Sequence, residues 1–165
     1  MSDKAIRLIE SLKAANAKIV FAESCTAGLA ANALANISGA SSVLWGSYVT
    51  YADEAKVKML GVPKKMIDEH GAVSSAVAEA MAEGALQNML SSGQIKNGLA
   101  VSLTGLAGPN GDGSNNPIGT VWIALYTSYG KRAARHFCFS GTRQQIREAA
   151  VEAALDIAGA NCLAV

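Results

Sequence analysis

Ser24 stands where an apolar run, residues 18–22 (KIVFA), gives way to Glu23-Ser24-Cys25-Thr26-Ala27-Gly28. A serine at a strand-to-helix handover can serve as an exposed nucleophile. The amides of Cys25 and Thr26, with the start of the next helix, would then face an oxyanion. The position equally suits a helix cap supplied by Ser24 or Thr26, and both readings stand at this level. The GxSxG elbow of α/β-hydrolases is absent. Cys25 is a rival nucleophile, because a helix N-terminus favours the thiolate; buried inert cysteine is the commoner role.

A serine nucleophile needs a base. His70 lies before Gly71 and His136 on a predicted hairpin strand, neither with an assignable Asp or Asn partner. A lysine can act when desolvation or a nearby cation keeps it neutral. Lys56, in residues 49–56 (VTYADEAK), is the best placed, with Tyr51 able to relay a proton or donate to an oxyanion. The plain alternative is a solvated helix lysine paired with Asp53 at i, i+3. A third feature is the loop that begins Thr104-Gly105-Leu106-Ala107-Gly108-Pro109. Its glycines let backbone amides approach an anion, although it matches neither Walker A nor GxGxxG. An ordinary long connecting loop is the competing reading. No His/Cys/Asp/Glu cluster has metal-ligand spacing.

The elements around these residues alternate. Helical spacing of Ile6, Ile9 and Leu12 predicts a first helix over 4–16, capped by Ser2 or Asp3. Strands are predicted at 18–22, at 43–51 with an interruption at Gly46, and at 98–104, 120–127 and 133–139. Further helices are predicted at 29–37, at 53–60 with Asp53 near the cap, and from Pro63 to Glu69. The last two helices are 76–90, capped by Ser74-Ser75 and ended by Ser91-Ser92-Gly93, and 143–158, capped by Thr142. The alternation with one late antiparallel pair implies an α/β fold, a three-layer α/β/α domain with a mixed sheet, and one domain over 1–165.

Composition narrows the function classes. The chain has 165 residues, 50% of them apolar, which excludes disorder as the main state. Its 31 alanines and 16 glycines predict close helix–sheet packing and raise the expectation of a homo-oligomer built on Ala-rich helices. A net charge of +1 argues against nucleic acid as a partner, while leaving room for one small anionic ligand. No apolar run reaches the ~18–20 residues of a membrane span, and the start does not read as a signal peptide. Three widely spaced cysteines suggest a reducing, cytoplasmic setting.

Six blocks then carry a resemblance. Residues 22–28 (AESCTAG) resemble the AESCTGG signature of the CinA C-terminal domain family. Residues 49–56 with 60–62 resemble its VTYSNxAK…LGV segment, and 70–74 its HGAVS. Residues 104–109, 117–122 and 139–143 resemble its SGIAGP, PVGTVW and FxGxR. The blocks fall in family order between about residues 19 and 143.

The resemblance implies hydrolysis of the carboxamide of nicotinamide mononucleotide, with a small pyridine nucleotide as partner and no metal or cofactor. It implies Ser24 as nucleophile, Lys56 with Tyr51 as base, and the Cys25 and Thr26 amides as oxyanion donors. Glu23, Thr104, Gly105, Ala107 and Gly108 would contact substrate. Larger family members carry an N-terminal molybdopterin-binding-like domain, and this chain is expected to be the C-terminal domain standing alone. A binding module without turnover is the alternative.

Two departures stand out. Ala27 replaces a family glycine, and its methyl could crowd the pocket. Ala52-Asp53 replaces Ser-Asn, which places beside Lys56 a negative charge that favours the ammonium and works against a base role.

Overall fold

The computed structural model describes residues 2–91 and 93–162. The Ser2 side chain and Ser92, expected to cap the first helix and help end the fifth, lie outside the described parts. The chain runs α1 (Ser2–Ala14), β1 (Lys18–Glu23), α2 (Leu29–Ala35), a 3-10 turn (Ala40–Ser42), β2 (Leu44–Val49), α3 (Asp53–Leu60) and α4 (Lys64–His70). It continues with α5 (Ser75–Leu90), β3 (Gly98–Gly105), β4 (Thr120–Thr127), β5 (Arg132–Cys138) and α6 (Arg143–Asn161). Asp3 falls inside the first turn of α1 rather than ahead of it.

The five strands form one sheet in the order β2-β1-β3-β4-β5. β2, β1 and β3 are parallel, whereas β3-β4 and β4-β5 are antiparallel, so the sheet is mixed. Period-two geometry divides its side chains between two cores. Ile19, Phe21, Leu99, Val101, Leu103 and Ile123 face α1, α2 and α6. Val20, Ala22, Ala100 and Ala124 face α3, α4 and α5. The domain is therefore a three-layer α/β/α sandwich, and burial on both faces explains why the central strands read as continuous apolar runs. The alanines on the second face let α5 lie close to the sheet. α5 also meets the end of α3 so tightly that a Cβ on Gly84 would fall 1.9 Å from the Leu60 carbonyl oxygen.

The expected interruption in β2 is a bulge. Ile19 pairs with Leu44 and Val20 with Gly46, leaving Trp45 as the extra residue. β1, β2 and β3 end on the same side, at Glu23, Val49 and Gly105. From neighbouring ends, β1 leads through α2 to β2 on one side and β3 turns into β4 on the other. Divergence of this kind opens a crevice at strand carboxyl ends.

Candidate active site

A cavity of about 700 Å³ fills that crevice. Ser24 and Cys25 reach it from the end of β1, Tyr51 from the end of β2, and Asp53 and Lys56 from α3. Thr104, Gly105, Ala107 and Gly108 reach it from the end of β3 and its loop, and Arg143 from the start of α6.

The segment after β1 is a turn rather than the start of a helix, and α2 begins only at Leu29. Neither Ser24 nor Thr26 caps it. The cap position belongs to Gly28, at φ +92°, with no side-chain cap of its own. Glu23 does the capping from the end of β1. Its Oε2 accepts from the amides of Gly28 (2.9 Å) and Ala30 (3.0 Å), and its Oε1 from the Ala31 amide (3.1 Å) and the Ser47 hydroxyl (2.9 Å). Glu23, expected to contact substrate, has its carboxylate turned to the start of α2 and to β2. The carboxylate is wholly buried, off the cavity wall and saturated, because the orphan amides of a helix start need an acceptor.

The opposite pole of the same turn is held by Arg147 of α6. Its Nε donates to the Cys25 carbonyl (3.0 Å) and its Nη2 to the Thr26 carbonyl (2.7 Å). Among the described residues, no backbone carbonyl accepts from the Cys25 or Thr26 amide. Cys25 lines the cavity, whereas Thr26 is fully buried off its wall with its hydroxyl unpaired among the described residues. Ala27 adopts φ +51° and is exposed away from the cavity. The methyl expected to crowd the pocket instead sits on the surface, in a left-handed conformation costing roughly 1–2 kcal/mol for a residue with a Cβ.

Lys56 is 2% exposed. Its Nζ lies 2.8 Å from Asp53 Oδ1 and donates more weakly to the Tyr51 carbonyl at 3.5 Å. Asp53, expected near the cap of α3, leaves the cap to Ala52 and spends its carboxylate on Lys56 instead. The solvated-lysine alternative therefore fails on solvation and holds on pairing. Burial pushes the Cys25 thiol up to about 11, with the Arg147 cation opposing weakly. At neutral pH that side chain is a protonated thiol, which weighs against it as nucleophile.

The β3 loop is shaped by close backbone contacts. A Cβ on Gly105 would lie 2.6 Å from the Thr120 carbonyl oxygen. Gly108, at φ +75°, would push a Cβ to 2.7 Å from the Ile118 side chain. The Leu106 amide is taken by the Thr120 carbonyl at 2.8 Å. Among the described residues, no backbone carbonyl accepts from Ala107 or Gly108. Thr104 donates its hydroxyl proton to the Ala72 carbonyl at 2.8 Å, tying the 70–74 segment to the cavity wall.

Arg143 joins the two sides. Its Nη1 donates to the Gly108 carbonyl (2.6 Å) and its Nη2 to the Tyr51 hydroxyl (2.8 Å). In the sequence Arg143 stood only as the end of the 139–143 block, and neither Arg143 nor Arg147 was assigned a role. Their signal was present, as two arginines four apart directly after the Thr142 cap, and so on one face of α6. The histidines play no part here: His70 ends α4, and His136 lies against the Trp122 ring at 4.9 Å. Among the described residues, no group of three or more His, Cys, Asp or Glu is placed to hold a metal, and no helix is long and apolar enough to cross a membrane.

Comparison with known proteins places this geometry. The sequence model of the CinA C-terminal domain matches residues 2–162. A competence-damage inducible protein of Caldicellulosiruptor bescii is 46% identical over 85% of this chain, which spans 32% of that longer protein. The nicotinamide-nucleotide amidohydrolase PncC of Escherichia coli is 41% identical over 88% of this chain and 85% of its own length. Among solved structures, the competence/damage inducible protein CihA of Agrobacterium tumefaciens superposes with a TM-score of 0.86 at 36% identity, covering 94% of this chain and 92% of that one. The competence damage-inducible protein A of Klebsiella pneumoniae gives 0.88 at 29% identity, covering 97% and 95%.

Proposed function

The chain belongs to the CinA C-terminal domain family, and from that premise we propose that it is an amidohydrolase converting nicotinamide mononucleotide to nicotinate mononucleotide and ammonia. The observation that carries the reading is the shared cavity wall of Ser24, Tyr51, Lys56 and Arg143, contributed by four separate segments. The name of the E. coli relative supports the substrate.

In this reading Ser24 Oγ attacks the carboxamide carbon, and the Tyr51 hydroxyl takes up its proton while passing its own to the departing nitrogen, with Lys56, held by Asp53, supplying positive charge to the cavity. The C–N bond breaks, nitrogen leaves as ammonia carrying that proton, and water, returning a proton to Ser24 by the same relay, cleaves the acyl-serine to a carboxylate. Because Asp53 holds Lys56 at 2.8 Å, Tyr51 carries more of the proton transfer than a free lysine would require. The Tyr51 hydroxyl accepts from Arg143, which favours its developing negative charge. The Cys25 amide, on the cavity wall, serves the oxyanion, whereas Thr26 is buried off that wall. The amides of Ala107 and Gly108, with the remaining Arg143 donors, suit the phosphate.

The Asp53–Lys56 pair also favours the second reading, a nucleotide-binding module without turnover. An ammonia-release assay on nicotinamide mononucleotide separates the two. Turnover supports the hydrolase; thermal stabilisation by the nucleotide without ammonia supports the module. Three free thiols support a reducing cytoplasmic setting, and the exposed Trp45 and Val49 on edge strand β2 support self-association, measurable by sedimentation.

A further inference from the structure

Resting on the amidohydrolase reading, we propose that Asp53 is a selectivity residue that turns the cavity against the acid product while leaving it open to the amide substrate. The pair it forms with Lys56 is asymmetric. The Lys56 side chain is 2% exposed, whereas the Asp53 side chain is 49% exposed, so a ligand entering the cavity meets the carboxylate in front of the recessed ammonium. The strong cation of the opposite wall, Arg143, is tied to Gly108 and Tyr51. Two further carboxylates, Asp68 and Asp112, also line the cavity, but neither faces Lys56: Asp68 pairs with Lys64, and Asp112 accepts from the Ser114 amide.

Hydrolysis changes the ligand in one place. The carboxamide is neutral and the product is a carboxylate; water supplies the oxygen, and nitrogen departs as ammonia, protonated in solution. A lone Lys56 ammonium would bind that new carboxylate and retain the product. Asp53 already occupies the ammonium and presents its own negative charge to the group being formed. The cationic pyridinium ring is drawn by the same carboxylate in substrate and product alike, so only the new carboxylate distinguishes the two. Two charges about 6 Å apart, at an effective dielectric between that of a protein surface and water, correspond to roughly a 3- to 10-fold change in affinity.

The test is product inhibition of ammonia release from nicotinamide mononucleotide, with nicotinate mononucleotide as inhibitor. Asp53→Asn should lower the ratio of product inhibition constant to KM about 3- to 10-fold, and Asp53→Glu should restore the wild-type ratio. A role limited to holding Lys56 in place would leave that ratio unchanged, and that result overturns the proposal. The wild-type chain gives a second measurement should the variants fail to fold. Raising salt from about 0.05 to 0.5 M screens the repulsion and should lower the ratio of product inhibition constant to KM. A ratio that stays constant or rises overturns the proposal and leaves the amidohydrolase reading intact. No ammonia from the wild-type chain overturns both.

Discussion

Replacing Glu23 by glutamine should destabilise the fold by about 3–5 kcal/mol while leaving substrate affinity nearly unchanged. The wild-type carboxylate accepts two amides on Oε2, and one amide and the Ser47 hydroxyl on Oε1, with no exposure to water. Glutamine keeps one acceptor oxygen. Its best placement keeps the pair at Gly28 and Ala30 and turns the NH₂ toward the Ala31 amide, where two donors meet. The Ser47 hydroxyl can rotate to accept, so that contact survives. The change removes one charge-assisted hydrogen bond, about 1.5–3 kcal/mol, and leaves a buried donor unpaired at about 1–3 kcal/mol. In a chain of this size that corresponds to a fall in Tm of roughly 6–20 °C. Urea unfolding followed by circular dichroism measures the stability, and ammonia release well below Tm measures KM. A loss under 1 kcal/mol together with a tenfold rise in KM would refute the reasoning and return Glu23 to the substrate.

Four further outcomes are expected. Ser24→Ala should cut ammonia release on the order of 10⁴-fold with ligand binding retained, whereas Cys25→Ala should keep substantial turnover; the reverse pattern would make the thiol the nucleophile. Tyr51→Phe should cost nearly as much in kcat as Lys56→Ala, since Asp53 already holds the lysine; a mild Tyr51→Phe phenotype would return the proton transfer to Lys56. Because the buried Cys25 thiol sits at about 11 against an ordinary 9.0, the unfolded chain loses that proton first as pH rises. Stability should therefore be unaffected below pH ~9 and fall by about 3 kcal/mol between pH ~9 and ~11, a loss that Cys25→Ala removes in alkaline urea titrations. Ala27→Gly should stabilise by roughly 0.5–1 kcal/mol, relief of the left-handed strain being partly offset by the entropy of glycine.

The layers were legible because strand and helix periods differ and both sheet faces are apolar. The run 18–22, with its abrupt change at Glu23-Ser24, located β1 and the turn after it, and Thr142 located the start of α6. Side chains acting across long separations were not legible. Glu23 was expected at the substrate from the family resemblance, yet its acceptors face the helix that follows. The Asp53–Lys56 pairing was legible from its one-turn spacing, whereas the burial of Lys56 was not. Arg143 and Arg147 reach carbonyls 35 and more than 120 residues away, which no local pattern encodes.

That last separation sets a timetable. The turn bearing Ser24 is clamped by an arginine that follows its carbonyl partners by 121 and 122 residues. At a synthesis rate of about 5–20 residues per second, the ribosome takes roughly 6–25 s to add that stretch. Throughout that interval the residues of β1, the turn and α2 have been made, while the arginine that clamps the turn has not. The turn that bears Ser24 can therefore take its clamped form only once α6 has been made, so the cavity wall it belongs to is completed among the last parts of the domain.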